Sequence, residues 1–318
     1  AEAALMREDY AKAMSTAAEA VRLDASSPRA LLLLGVARLQ VAEYDKALRS
    51  FGAAIEACAG MQGAEASRIR SAAHMRSGQV QERQRQYPQA LAQVKLALDM
   101  NPNLALAKVV QAQCMQQMGR AMEAENELST VLRRDPQNAL ALLTMGYFQL
   151  CKGDPRAAKT LEAVLGSPSG SRSIVGTAKV YLALALDASP GMTQGRTDQL
   201  LKEALALHSN LAQVWHEIEG GLATQPVAAV QRLRGICDLD LTSMQAKQLL
   251  ALLGAALGRG DVAQAARELS SQDGGGRGRQ TSVPPNRWGP GGPRCESMMV
   301  SSSSSRHGTP MRGRASSR

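Results

Sequence analysis

Aromatic residues are scarce in this 318-residue sequence, where they make up 3% of the chain, and β-branched residues are also few. The cores of β-sheets draw mainly on these two classes of residue. Alanine, leucine, glutamine and arginine, which favour helix, are abundant instead. The composition therefore predicts an all-α protein, although a chain of this length could hold one large domain or two small ones.

The sequence also lacks a recognisable set of catalytic or metal-binding residues. Its cysteines and histidines lie far apart and form neither a CxxC pair nor a spacing that would complete a zinc site. The glycine-rich stretch around Arg277 has no Gly-Lys-Ser/Thr ending, which a phosphate-binding loop requires. We therefore expect no enzyme, no cofactor and no metal, and free thiols in a reducing compartment.

Long apolar runs are absent as well. The longest, residues 30–37 and 249–257, are much shorter than the roughly 20 residues that a membrane-spanning helix needs. No secretory signal and no initiator methionine are visible. These features predict an intracellular protein, cytoplasmic or nuclear, with no membrane span. The start of the chain within a helical pattern indicates a fragment of a longer protein.

The net charge of +9 is concentrated at the end of the chain. Residues 271–318 carry eight arginines against Asp273 and Glu296, which gives +6 and leaves +3 for the rest. This tail is rich in glycine, serine and proline, so we expect it to be disordered. Residues 277–279 and 312–314 resemble arginine-glycine segments that bind RNA, and predict only weak, nonspecific binding of nucleic acid.

Small residues recur through the remainder of the chain. Five alanines are separated by 34, 43, 34 and 34 residues, and lie at positions 13, 47, 90, 124 and 158. An apolar or small residue follows each of the first four by four positions, and glycines 35, 78 and 146 mark the helices that precede three of the repeated segments. The spacing predicts helical hairpins whose small residues allow close helix contact. Extra residues near 62–70 and within 166–176 are predicted to lie in hairpin connections.

This pattern resembles the tetratricopeptide repeat, which has Leu-Gly on its first helix, alanine on its second and proline at its end. The resemblance implies a right-handed α-solenoid of about seven hairpins over residues 1–270, the first partial and the last two degenerate. The clearest repeats are residues 28–61, 71–104, 105–138 and 139–172. The predicted helix-packing residues are Gly35, Ala47, Gly78, Ala90, Ala124, Gly146 and Ala158.

The resemblance also implies a partner-binding groove, because this family lines its concave wall with the first helices. The groove residues predicted in this way are Arg29, Leu32, Val36, Met75, Arg76, Gln79, Val109, Gln113, Leu143 and Tyr147. Most are apolar, which suits an amphipathic helix or an extended apolar segment. The lysines and asparagines with which family members bind chaperone carboxylates are absent, so we do not expect a chaperone clamp.

We interpret the chain as a protein-interaction scaffold or adaptor, within a multisubunit complex. Two alternatives stay open at this stage. The chain could be the substrate-selecting arm of a larger enzyme, or an RNA-associated subunit that uses its arginine-rich tail. His74 and Trp215, which occupy large packing positions of their repeats, are interpreted as hairpin contacts rather than functional groups.

Overall fold

The computed structural model describes residues 1–7, 9–188, 194–236 and 239–274. Within these ranges the chain forms helices and their connections, and no strand. The all-α prediction is therefore confirmed. The last helix extends to Gly274, past the predicted end of the solenoid at residue 270. The remainder of the tail lies outside the described residues, so its disorder stays a prediction.

Sixteen α-helices lie in the described ranges. The bounds are α1 Glu2–Met6, α2 Tyr10–Leu23, α3 Pro28–Gln40, α4 Tyr44–Ala57, α5 Ala64–Arg83, α6 Tyr87–Met100, α7 Ala105–Gln117, α8 Ala121–Arg134, α9 Ala139–Lys152, α10 Arg156–Leu165, α11 Arg172–Asp187, α12 Gln194–Leu207, α13 Ser209–Glu219, α14 Pro226–Arg234, α15 Ser243–Ala256 and α16 Gly260–Gly274. Helices α3 to α12 form successive hairpins, and each first helix also contacts the first helix of the next hairpin.

The predicted small residues lie where the two helices of a hairpin touch. Ala47, Ala90 and Ala124 have no solvent exposure. A Cβ atom added to Gly78 would lie 2.7 Å from Val94 Cγ2, and one added to Gly146 would lie 2.7 Å from Leu161 Cδ2. Atoms this close would clash, so a larger side chain would force the helices apart. The hairpins therefore depend on glycine at these positions.

One packing residue differs from the prediction by a single position. Ala158 is half-buried, whereas Ala157 is buried and lies four residues before Leu161, the residue that faces Gly146. In the earlier hairpin the same relation holds between Ala90 and Val94. The two connections are equally long, at three residues each, but Leu161 follows Gly146 by 15 residues whereas Val94 follows Gly78 by 16, so the contact falls at Ala157.

The extra residues near 62–70 do not form a loop, contrary to the prediction. Helix α5 begins at Ala64 and thus includes most of them. Ala66 and Ile69, one helical turn apart, are buried and form a small cluster with Cys58 at the end of α4. Burial of this apolar pair stabilises the extension of α5. Part of the second predicted insertion, within 166–176, does lie in a connection, because residues 166–171 connect α10 to α11.

Regular stacking changes after α12. Helix α12 contacts α15, and α14 contacts both α15 and α16. Gly254 of α15 nevertheless has a close neighbour in α16, since a Cβ there would lie 2.7 Å from the backbone nitrogen of Ala263. The degenerate last hairpin therefore keeps the close helix contact of the earlier ones.

None of the helices in the described ranges has the combination of length and apolar character that a membrane span requires.

The two aromatic packing residues lie as predicted. The ring nitrogen Nδ1 of His74 is 2.8 Å from Oε1 of Gln93, which links the two helices of the α5–α6 hairpin. Trp215 is 6% exposed in α13. Both residues thus contribute to contacts between helices, as the sequence indicates.

Candidate functional site

The first helices α5, α7, α9 and α11 lie side by side and form one wall of a cavity of about 340 Å³. The cavity combines apolar side chains such as Leu106, Val110 and Leu143 with hydrogen-bonding groups. The hydrogen-bonding side chains include those of Gln113 and Tyr147. A concave surface with this mixture is the usual character of a binding site.

The predicted groove residues divide into two groups. Gln79, Gln113, Leu143 and Tyr147 line this cavity. The other six do not line it. Met75 and Val109 are buried between helices, and Leu32 and Val36 are half-buried in the cluster around α3 and α4. Arg29 is exposed and paired with Glu2, and Arg76 contacts Gln79. The assignment of the groove as a partner site remains a prediction for all ten.

The opposite side of the cavity is formed by the connection between α14 and α15. We call its described residues, 235–236 and 239–241, the strap. Gly235, Ile236, Leu239 and Asp240 of the strap line the cavity. The wall of first helices is therefore covered in part by a later segment of the same chain.

Asp240 is the main polar contact between strap and wall. Its backbone N–H donates to the hydroxyl of Tyr181 at 3.2 Å, and its carbonyl oxygen accepts from the hydroxyl of Tyr147 at 2.8 Å. Its Oδ2 accepts from Gln117 Nε2 at 2.7 Å and also lies 3.1 Å from the Tyr147 hydroxyl. The wall thus contacts both the backbone and the carboxylate of one residue, which lies at a turn closed by the Leu241 N–H and the Leu239 carbonyl oxygen.

The two tyrosines form a single platform. Their rings stack with centroids 5.1 Å apart, across the contact between α9 and α11. Burial raises the pKa of both hydroxyls, so each stays protonated and keeps its hydrogen available. The platform is therefore a fixed pair of hydroxyl groups on an aromatic surface.

Charged side chains of α5 lie beside this platform. Glu82 and Arg83 are 3.8 Å apart, and both line the cavity with Arg85. Burial raises the pKa of the Glu82 carboxyl, an effect that Arg83 opposes and that Asp240 increases. With the strap set aside, the wall has more cationic than anionic side chains.

Arg76 carries a further positive charge on α5. Burial lowers the pKa of its guanidinium, and Nη1 donates to Oε1 of Gln79 at 2.8 Å. Among the described residues Arg76 forms no ion pair. A largely buried cation that is bonded to a neutral amide would gain from contact with a carboxylate.

Several of these residues were not predicted. Gln117, Tyr181 and Asp240 lie outside the repeat positions from which the groove was inferred. One sequence signal does mark the strap: residues 238–241 read Asp-Leu-Asp-Leu, and such alternation is typical of an extended segment. Within the described ranges no group of three or more histidine, cysteine, aspartate or glutamate residues could hold a metal ion.

No family model matches the chain. DnaJ homolog subfamily C member 7 from Homo sapiens is 26% identical over 217 residues, which cover 65% of this chain and 44% of that protein. The chain thus spans less than half the length of this relative.

Two solved structures are similar to the chain to different degrees. The Cut9–Hcn1 hetero-tetramer of the APC/C is similar with a TM-score of 0.56 at 15% identity, covering 83% of this chain and 48% of that chain. The TPR protein YrrB is similar with a TM-score of 0.38 at 21% identity, covering 59% and 87%.

The hairpins, their small packing residues and the wall of first helices define an α-solenoid of helical repeats. The fold is an α-solenoid of tetratricopeptide-like helical hairpins, and the resemblance found in the sequence is confirmed at the level of the fold. No subfamily is distinguished by these features.

Proposed function

We propose that the chain is a protein-interaction scaffold that binds an extended segment of a partner protein along the wall of α5, α7, α9 and α11. The observation that carries this proposal is the way Tyr147, Tyr181 and Gln117 hold Asp240. They contact both backbone groups and the side chain of a single residue. A wall that can do this for its own chain has the chemistry to do it for another.

The packing of the wall supports this role. The side chains that face the cavity project from helices that are held by close-packed hairpins, so their positions are set before a ligand arrives. Preorganisation of this kind lowers the entropic cost of binding. Repeat solenoids commonly present such fixed surfaces, and Cut9, which is similar in fold, occurs in an assembly with Hcn1.

The charges of the wall favour a partner segment with an acidic residue. Arg83 and Arg85 line the cavity, and Arg76, which does not, is bonded to the neutral Gln79, which does. A carboxylate at this place would be stabilised by charge-assisted hydrogen bonds. Leu106, Val110 and Leu143 would contact apolar side chains of the same segment.

The proposal is tested on the full-length protein and a partner that copurifies with it. Gln79→Ala combined with Gln113→Ala removes two half-buried amides from the cavity. We expect this variant to bind the purified partner at least tenfold more weakly in a calorimetric titration. The matched control, Gln89→Ala combined with Gln264→Ala, changes two exposed glutamines on second helices and should bind as the parent does. Equal affinities of the two variants would place the partner elsewhere.

A further inference from the structure

The strap is fixed at both of its ends and turns at Asp240, where the N–H of Leu241 donates to the carbonyl oxygen of Leu239 at 2.9 Å. Gly235 ends α14, and Thr242 begins α15 with a capping box, in which its hydroxyl accepts from the backbone of Gln245 and its own N–H donates to the Gln245 side chain. A capping box fixes where a helix starts. The strap, as described at residues 235–236 and 239–241, therefore lies outside both helices.

The strap has buried aliphatic side chains on both sides of Asp240, which is exposed. Ile236, Leu239 and Leu241 are buried, at 5%, 1% and 5% exposure. Asp240 lies between two of these residues and faces Gln117 and Tyr147. An acidic residue between aliphatic residues is thus bound by side chains that belong to three different helices of the wall.

We propose that the strap is an internal ligand of the groove, and that partner segments with an acidic residue between two aliphatic residues compete with it. This inference rests on the proposed function and names the chemistry of the partner. The wall offers the same groups to both: hydroxyls for backbone N–H and carbonyl, an amide for the carboxylate, and aliphatic contact on either side.

Charge complementarity favours this class of occupant over a basic or neutral one. Asp240 is the acidic group of the strap, and the same cavity is lined by Arg83, at the end of α5, and by Arg85, in the connection that follows. If the strap leaves, Glu82 is the one carboxylate among the described residues that line the cavity, and Arg83 lies beside it. The vacated wall would then attract another carboxylate.

Competition with an attached segment has a measurable consequence. A partner binds only the fraction of molecules in which the strap is released, so its apparent affinity falls in proportion to that fraction. A change that weakens the strap but leaves the wall intact should increase the affinity for a peptide. A change in the wall should decrease it.

The test uses the 318-residue chain and a fluorescent peptide with the sequence of residues 234–242, in which Cys237→Ser prevents oxidation. Fluorescence anisotropy measures its binding. Asp240→Ala in the chain removes the side-chain bonds of the strap to Gln117 and Tyr147, and we expect it to raise the affinity for the peptide at least tenfold. Asp261→Ala, a change at an exposed aspartate of α16, is the matched control and should bind as the parent does.

A second peptide identifies what is recognised. The same peptide with Asp240→Ala should bind the Asp240→Ala chain at least tenfold more weakly than the acidic peptide does. Equal binding of the acidic peptide to parent and Asp240→Ala chains, or no saturable binding to either, would overturn the inference.

Hydrogen exchange keeps the test decisive if the Asp240→Ala chain does not fold. In the parent, saturating acidic peptide should accelerate exchange of the Asp240 amide, because displacement frees it from the Tyr181 hydroxyl. Unchanged or slower exchange with peptide bound would contradict displacement.

If no peptide binds but the glutamine variants of the wall still lose the protein partner, the strap is purely structural and the proposed function stands. If the peptide competes but those variants bind the partner normally, the proposed function fails instead.

Discussion

The hydroxyl of Tyr147 lies 2.8 Å from the carbonyl oxygen and 3.1 Å from Oδ2 of Asp240, a residue 93 positions later in the chain. One hydroxyl carries one hydrogen, so it donates to both acceptors as a bifurcated bond. This contact ties the fourth clear repeat to the connection between α14 and α15. Repeat solenoids are held mainly by contacts between neighbouring repeats, so a link of this range is an additional constraint on the fold.

Removal of that hydroxyl should loosen the strap. Tyr147→Phe leaves the ring in place but removes the donor, at an expected cost of about 0.5 to 1.5 kcal/mol, the typical net value of one hydrogen bond. We expect faster amide exchange at residues 239–241. Tyr87→Phe, in the same cavity but not among the described partners of Asp240, should leave their exchange unchanged. Equal exchange in both variants would show that the Tyr147 contact does not hold the strap.

Two glycines should respond in opposite ways to replacement by alanine. Gly52 has no atom within 4 Å of an added Cβ, so Gly52→Ala in α4 should stabilise the chain by about 0.5 to 1 kcal/mol. Gly78→Ala should destabilise it, because the new Cβ would meet Val94 and the carbonyl oxygen of Ala90. Denaturant unfolding measures both changes. Stabilisation by Gly78→Ala would refute the close contact of α5 with α6.

The hairpins could be predicted from sequence because their packing is local. Close contact requires a small residue on each helix, and these residues recur with the repeat. The contact lies at Ala157 rather than Ala158, which the sequence could not show because the two alanines are adjacent and the residue that faces Gly146 follows it one position sooner than in the α5–α6 hairpin. The prediction failed at the α5 insertion because Ala66 and Ile69 find Cys58 as a partner, a contact outside the repeat pattern.

The candidate site was only partly predictable for the same reason. Gln79, Gln113, Leu143 and Tyr147 follow from the repeat register. The strap does not, because Asp240 contacts residues 59 to 123 positions away. Periodicity reports contacts between neighbouring repeats and carries no information on a segment that returns across several of them.

Overpacking at a repeated alanine should be costly. Ala90 has no exposure, and Ala90→Leu should destabilise the chain by about 1 to 3 kcal/mol because the larger side chain has no space between α5 and α6. Ala92→Leu, two residues later in the same helix and exposed, is the matched control. The comparison of denaturant midpoints checks the register, and similar losses in the two variants would contradict it.

Glu82 should make stability depend on pH in a defined direction. Its folded-state pKa is raised, chiefly by burial, so the folded state binds its proton more readily than the unfolded state does. Above the folded-state pKa, the ionised carboxylate therefore lowers the free energy of unfolding. Protonation removes this destabilisation as the pH falls from the folded-state pKa toward the pKa of the unfolded state. Relative to Glu82→Gln, the parent should gain stability on acidification through that window. A stability difference that is constant with pH, measured by urea unfolding, would show that burial does not shift this group.

Arg76 tests whether positive charge on α5 contributes to partner binding. Its guanidinium is largely desolvated and bonded to the neutral Gln79, so an acidic partner residue should gain a charge-assisted bond there. Arg76→Met keeps much of the side-chain volume but removes the charge, and combined with Tyr147→Ala it should weaken binding of an acidic partner segment more than tenfold, or about 1.4 kcal/mol. The control is Arg22→Met, which removes an equal charge from an exposed ion pair with Glu19. It separates the local effect of Arg76 on binding from the effect of a lower net charge.

The thermal stability and salt dependence of these variants distinguish recognition from folding. Arg76→Met alone should melt at the same temperature as the parent or higher, since it removes a buried charge that has no ionic partner among the described residues. Its partner affinity should also fall less steeply as salt is added, because one local charge contact is missing. If a folded Arg76→Met, Tyr147→Ala variant binds the purified partner as tightly as the parent, this wall does not form the binding site.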